Sequence, residues 1–364
     1  MKLVIDMTGF WPGGAERQVL DLGNGLAARG HHVLLVLQQR AWAYQRELWQ
    51  SDVEVVELGR SSGLDARITA DVYGALRGHG AQVCLSELLS PWGRLAAVLA
   101  QCPLVVAEHS SNRPLRRRVL WTNRIFRPAT ARVIACAQAQ IPTLVQEGHS
   151  ADRITVIHNG VDGRRFRFDA RAGQAFRERH GLPADDFVVG LVAAHRPEKR
   201  HDRFIDVVGL LRQAGVPAWG CAIGAGPLLD ENRRLGSLSE VHRWLRFPGG
   251  VQDTVPAYSA CDVVVLVSDA VETLPMALLE AQACGVPVVA MDIGGIREVI
   301  ADGLTGEIVA QGSVEGMAAS LARLARSPDV RQAMGDAART WVSANHGAER
   351  MVDSYERLLM SLVT

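Results

Sequence analysis

The chain has 364 residues, 48% hydrophobic and 21% charged, and its 39 basic and 39 acidic side chains cancel to a formal net charge of zero. That length allows about two ordinary domains, each with its own core, and the balanced charge offers no footprint for a nucleic-acid partner. Six cysteines, Cys84, Cys102, Cys136, Cys221, Cys261 and Cys284, make no C-x-x-C pair, which favours reduced core thiols over disulfides or a zinc centre.

The start "MKLVIDMTGFWPGG" has too short an apolar run for a signal peptide, and no segment reaches the ~18 apolar residues of a spanning helix, so a cytoplasmic protein is expected. Along the chain, "KLVIDM", "HHVLLVLQ", "VEVVEL", "AQVCLSEL", "PLVVAEH" and "RVIACA" each precede a stretch with helical spacing. Strands alternating with helices read as βαβ units and a mostly parallel sheet. The cadence restarts after residue 165 with "FVVGLVAA", "AWGCAIG", "WLRFPG", "CDVVVLVS" and "VPVVAM". Between the two series, "VIHNGVDGRRFRFDARAG" turns from a strand into turn residues and a charged segment. The expectation is an α/β protein of two Rossmann-like, doubly wound domains, 1–165 and 166–345, with a terminal helix over 346–364 able to dock on either, including back on the first. In open α/β sheets ligands sit beyond the carboxyl ends of the strands, which makes a cleft between such domains the default site.

The loop "GFWPGGAER" follows the first strand, and Gly13 and Gly14 let a ligand approach the backbone. Its glycines do not fall in the G-x-G-x-x-G order, which argues against a dehydrogenase. His109 ends its strand at the carboxyl edge of the sheet, whereas Glu108 alternates to the opposite face; a lone histidine is more often structural than functional. From His109 to Gln146 there is no acidic residue, and "RPLRRRVLWTNRIFRP", from Arg113 through Arg127, holds six arginines with Trp121, Ile125 and Phe126 between them. Such a segment suits an anionic membrane surface or a solvated helix face.

In "ETLPMALLE", Glu272 and Glu280 lie eight residues apart, about 12 Å along a helix, too far to make a catalytic pair by spacing alone. Thr273 reads as an N-cap and Pro275 as a first-turn residue. Glu272 then sits in the strand-to-helix loop and Glu280 two turns inside the helix. The helix amino terminus favours a phosphate. Glu280, among apolar residues, wants hydrogen-bond donors, which either a vicinal diol or a basic side chain supplies.

The stretch "SDAVETLPMALLEAQACGVPVVAMDIGGIREVIADGLTGEIV", residues 268 to 309, resembles the nucleotide-sugar-binding region of glycosyltransferase family 4, retaining enzymes of the GT-B fold. "GGAERQ", "VIHNGVD", "VAAHRPEKRHDRFIDVV" and "IGAGPLLDENRRL" match other segments of the family in the same order. The resemblance implies two Rossmann-like domains facing across a cleft, with Glu280 on the ribose hydroxyls and Glu272 beside the donor sugar. It implies that the backbone at Thr273, Leu274, Pro275 and Met276 approaches the sugar and diphosphate, although Pro275 has no N–H. Lys199 takes the place of the family's diphosphate lysine; Ala194 stands where its arginine is usual, with Arg196 two residues on as the substitute. Gly224 and Gly226 resemble the donor-side loop, Val251 bounds the base pocket, Gly13 and Gly14 face the diphosphate, and His109 contacts the donor sugar.

The catalytic set so implied is Glu272, His109 and Lys199, with no metal and no cofactor, since no Asp-x-Asp motif is present. The implied partners are a nucleoside-diphosphate sugar, a UDP-sugar first, and a glycan or lipid-linked acceptor of the kind used in polysaccharide synthesis. The expected place is the cytoplasm or the inner membrane face. An epimerase or phosphorylase of the same fold, and a nucleotide-sugar-binding subunit without turnover, remain alternatives.

Overall fold

The computed structural model describes residues 1–10, 13–39, 49, 52–61, 65–87, 90–109, 117–269 and 272–363. They form two units, Met1–Gly160 with Ala348–Thr364, and Val161–Gly347. The sequence pattern puts these divisions at 165/166 and 345/346.

The first unit holds β1 (Lys2–Met7), β2 (His32–Leu37), β3 (Val53–Glu57), β4 (Val83–Glu87), β5 (Leu104–Glu108), β6 (Thr130–Ala135) and β7 (Ile154–Val156), in the sheet order β3-β2-β1-β4-β5-β6-β7. All of its pairings are parallel. Both faces of such a sheet are covered, which is why its strands read as unbroken apolar runs. Alternation sends Leu3, Ile5 and Met7 to one face, where they share a core with Leu22, Leu26, Met351, Val352 and Tyr355. Val4, Leu34, Val36 and Val106 face the other way, against Ile68, Val72, Leu76 and Ala96. The terminal helix Ala348–Met360 is therefore part of the first unit's core.

The second unit holds β8 (Phe187–Val192), β9 (Ala218–Ile223), β10 (Leu245–Gly249), β11 (Val263–Leu266), β12 (Val288–Met291) and β13 (Gly306–Val309), ordered β10-β9-β8-β11-β12-β13. Again every pairing is parallel. β13 has no counterpart in the sequence reading. It is four residues long, mostly half-buried and at the sheet edge, so it carries little apolar signal. All six cysteines are buried and free.

Each sheet reverses its strand order once, between β1 and β4 in the first and between β8 and β11 in the second. Chains leaving neighbouring strands in opposite directions open a crevice beyond their carboxyl ends. Those two places hold the polar residues described next.

Candidate active site

In the second unit the loop after β8 carries Ala194, Arg196 and Lys199, and the loop after β11 carries Ser268, Asp269, Glu272 and Thr273. Lys199 Nζ donates to Glu272 Oε1 at 2.5 Å, and Ser268 Oγ donates to the same oxygen at 2.6 Å. The two loops are also joined by Asp269 N donating to Glu198 O at 3.2 Å, and by Arg200, which pairs with Asp269 at 2.7 Å and Asp202 at 2.6 Å. Arg200 has a φ of +50°, a left-handed conformation uncommon for a residue with a Cβ. Its two carboxylate partners hold it there.

Backbone contacts fix the remaining loops. Gly224 N donates to Gly249 O, His195 N to Ala225 O and Gly295 N to Glu272 O. A Cβ on Gly224 would lie 1.9 Å from the Ala193 carbonyl oxygen and one on Gly226 2.6 Å from that of His195, so the "GAG" turn packs directly on the loop after β8. Gly294, at a φ of +54°, backs onto the Glu272 carbonyl, where a Cβ would lie 2.0 Å from the oxygen. Val251 is half-buried in the loop that follows β10, beside Gly250, which approaches Ala225.

The helix Met276–Ala283 corrects one expectation. Its cap position is Pro275, with φ −71° and ψ 110° and no side-chain cap, so Thr273 is not the N-cap and Pro275 lies just before the first turn. A proline keeps the residue before it out of the α region, so Leu274 cannot begin the helix. Thr273 and Leu274 are buried in the approach to it, and Met276 is its first residue. Glu280, half-buried in the same helix, accepts a hydrogen bond at 2.7 Å from Tyr258 Oη. The phenol is fully buried, and burial and the Glu280 charge push its pKa well up. A tyrosine from the helix Val255–Ser259 is thus one donor to Glu280. Its one sequence signal is that a tyrosine in an apolar run needs a partner for its hydroxyl.

Arg196 is exposed and makes no side-chain hydrogen bond or ion pair among the described residues. Beneath its loop, His195 and His201 stack at 3.9 Å between ring centroids, and Asn232 Nδ2 donates to His195 Nδ1 at 2.9 Å. Burial, with Arg233 nearby, lowers the His195 pKa to about 4. Burial and the charge of its neighbour His195 lower that of His201 to about 3. Both rings are neutral, so the cations that this segment brings to the loop after β11 are Lys199, on Glu272, and Arg200, on Asp269.

In the first unit Gly13 caps the helix Gly14–Ala27, and Glu16 folds back beneath it. His109 follows β5, and its Nε2 meets Glu87 Oε2 at 2.8 Å, Glu87 being the last residue of β4. Glu108 turns to Arg94, fully buried, at 2.9 Å. The helix Arg117–Phe126 buries Val119, Thr122 and Asn123 and exposes Trp121 (59%) and Ile125 (66%) beside Arg117, Arg118 and Arg124. Arg113 and Arg116 lie outside the described residues. No helix of the described residues is long and apolar enough to cross a membrane.

Two family descriptions match the chain: Glycosyltransferase Family 4 over residues 12–165 and Glycosyl transferases group 1 over residues 173–341. A D-inositol 3-phosphate glycosyltransferase of Saccharomonospora viridis is 34% identical over 238 residues, 62% of this chain and 54% of that protein. A GDP-mannose-dependent alpha-(1-6)-phosphatidylinositol monomannoside mannosyltransferase of Mycolicibacterium smegmatis is 36% identical over 195 residues, 51% of this chain and 50% of that protein. The chain spans about half the length of the curated relatives it matches. Among solved structures, Anabaena HepE in complex with UDP superposes with a TM-score of 0.83 at 23% identity, covering 99% of this chain and 100% of that one. That likeness and the two parallel sheets identify the fold as GT-B.

Proposed function

The chain belongs to the family 4 glycosyltransferases, and on that premise we propose that it transfers a sugar from a nucleoside-diphosphate sugar to a hydroxyl of a glycan or lipid-linked acceptor, with retention and without a metal. The observation that carries this reading is the pair of clusters beside the β8/β11 switch point. Glu280, oriented by Tyr258, is set to accept hydrogen bonds from both ribose hydroxyls of the donor. Lys199 is set to face the diphosphate, and the amino end of the helix Met276–Ala283 adds partial positive charge near it. Glu272, held by Lys199 and Ser268, is set beside the sugar. UDP is the first nucleotide to test, since UDP is bound in the Anabaena neighbour.

In a front-face reaction the bond between the anomeric carbon and the diphosphate oxygen breaks, and its electron pair leaves with the diphosphate. The acceptor oxygen bonds to that carbon on the same face, and its proton passes to a diphosphate oxygen. The leaving group gathers negative charge as this happens, which is what Lys199 and the helix amino end stabilise. One such donor contributes about 3 to 4 kcal/mol to a transition state.

The exposed Trp121 and Ile125, flanked by arginines, support contact with an anionic membrane surface bearing a lipid-linked acceptor. Flotation with acidic liposomes should fall when Arg117 and Arg118 are neutralised; unchanged flotation removes this part. A second reading, a donor-binding subunit without turnover, draws on Ala194 in the arginine's place and on the exposed Arg196. The deciding experiment is calorimetric binding of UDP, GDP and ADP and their sugars to the wild type and Glu280→Ala, followed by NMR of the product anomer. Selective binding that weakens in the variant, with a retained anomer, supports the proposal. An inverted anomer defeats retention, and binding without turnover on any acceptor favours the second reading.

A further inference from the structure

Among the described residues that carry a Cβ, only Gln101 and Arg200 have a positive φ. Gln101 is exposed in the turn between the helix Pro91–Leu99 and β5. Arg200 instead stands where the turn Pro197–Lys199 gives way to the helix His201–Gln213, next to the lysine of the candidate site. Glycine takes this left-handed conformation without steric cost, so a larger residue held there points to something that its side chain does. Arg200 Nη1 donates to Asp269 Oδ2 at 2.7 Å, while Nε and Nη2 donate to Asp202 at 2.9 and 2.6 Å. The Arg200 and Asp269 side chains are 29% and 35% exposed. Ion pairs this open to water return little stability, so glycine would serve the fold alone as well.

The arginine reaches the loop after β11. Consecutive side chains diverge by about 100° on a helix and about 180° on a strand, yet Lys199 and Arg200 both end on this one loop, Lys199 at Glu272 and Arg200 at Asp269. Asp269 is tied in from other sides as well. Its N–H donates to Glu198 O at 3.2 Å, its carbonyl accepts from Gln311 Nε2 at 3.2 Å, and Arg203 Nη2 lies 3.7 Å from its Oδ2. Three residues on, Glu272 takes both Lys199 and Ser268 on a single oxygen, Oε1. The place where Asp269 is fixed therefore limits where that oxygen, and the ammonium on it, can stand.

We propose that Arg200 and Asp269 are a positioning pair for the transfer step. The guanidinium, aimed by its left-handed backbone, fixes the start of the loop after β11, so that Glu272 stands beside the sugar while it holds Lys199. Both residues act through Glu272 rather than on the donor. This rests on the transferase reading above and adds two residues to which that reading gives no role.

The test uses the full chain with the nucleotide sugar and acceptor on which it is active. Arg200→Gly removes the guanidinium and suits the φ of +50°. Arg200→Ala removes it and keeps the strain, and Asp269→Asn removes the opposite charge at equal size. All three should lose roughly 10-fold in kcat, because a small misplacement away from the reacting atoms is costly. KM and the Kd for the nucleoside diphosphate should stay within about threefold, since Lys199 and Glu280 remain. Arg200→Gly with Asp269→Asn should lose no more than the worse single variant, and the denaturant midpoint of Arg200→Gly should lie above that of Arg200→Ala. A kcat within about twofold of wild type in Arg200→Gly overturns the proposal, because the backbone turn and not the ion pair would then matter. Additive losses in kcat, or a raised KM with kcat held, overturn it too and leave the transferase reading intact. A wild type inactive on every nucleotide sugar overturns both. If Asp269→Asn fails to fold, the two Arg200 variants decide: equal losses in kcat support the pair, and recovery in the glycine variant overturns it.

Discussion

Replacing Lys199 by methionine removes the ammonium and keeps the size of the side chain. At 2.5 Å from Glu272 Oε1, the gross attraction is ~7 kcal/mol at an effective dielectric near 20, most of which desolvation cancels. Exposed pairs return ~0–1 kcal/mol and breaking a fully buried one costs ~3–5. With the Lys199 side chain 22% and the Glu272 side chain 10% exposed, the loss of stability should fall between, at about 2 kcal/mol. Ser268 remains as a donor to the same carboxylate oxygen. The second effect is on the ligand. Losing the cation should cost roughly 100- to 1,000-fold in kcat, the size seen when one charge-stabilising donor is removed. The assay is a cycle of Lys199→Met, Glu272→Gln and the double variant, with denaturant midpoints and calorimetric titration of the nucleoside diphosphate. Either single change breaks the pair, so the stability losses should not add, the double variant losing little more than the worse single one. Affinity should fall only where Lys199 is gone. Glu272→Gln frees the lysine and should tighten nucleoside diphosphate binding several-fold, a direction that a purely structural ion pair does not predict. Additive stability losses, or an unchanged Kd in Lys199→Met, refute this reasoning.

Tyr258→Phe removes one hydrogen bond to a carboxylate and no packing volume of note, so the nucleotide Kd should rise about tenfold; a Kd within twofold of wild type would disconnect Tyr258 from the site. Gly294→Ala places a Cβ 2.0 Å from the Glu272 carbonyl at a φ of +54°, and should destabilise the second unit by about 3 kcal/mol or more. Gly303→Ala, at a φ of +76° with nothing within 4 Å, should cost only about 1 kcal/mol, and equal denaturant midpoints for the two variants would remove the close-packing argument. Acid should weaken the second unit through His195 and His201, whose folded values of about 4 and about 3 lie below the ordinary histidine value. Their contribution is complete above pH ~6.5 and is lost as pH falls toward those folded values, at about 1.4 kcal/mol per unit for each ring. His201→Leu should flatten the fall in denaturant midpoint between pH 7 and 5, and an unchanged slope would show that the acid loss arises elsewhere.

The strand cadence was legible because a parallel sheet buries both faces, and apolar β-branched runs such as "VVVL" in β11 need no partner information to be recognised. Lys199, Glu272 and Glu280 stand out in the sequence as candidates because they sit in local motifs at fixed offsets. Their partners do not. Tyr258 lies 22 residues from Glu280, and Glu87 lies 22 from His109, each on a different element. Only the order of the strands says that those elements end side by side. Thr273 misled for a local reason, since a good capping residue two before a proline loses to the extended conformation that the proline imposes on Leu274. Arg196, two residues after Ala194, stands just before the "PEK" turn with its side chain exposed.

The two switch points share one physical solution. A site built to take a diphosphate needs charges already in place, and an unpaired charge at these depths would be expensive. In the second unit Lys199 is balanced by Glu272, and in the first His109 is balanced by Glu87. Each pair is tolerable because the partner supplies the opposite charge. A further anion beside Lys199 must compete with Glu272 for the ammonium, so the proposed gain in diphosphate affinity on neutralising Glu272 follows from the pairing itself. Removing the negative partner should therefore strengthen the hold on an anion, as expected for Glu272→Gln.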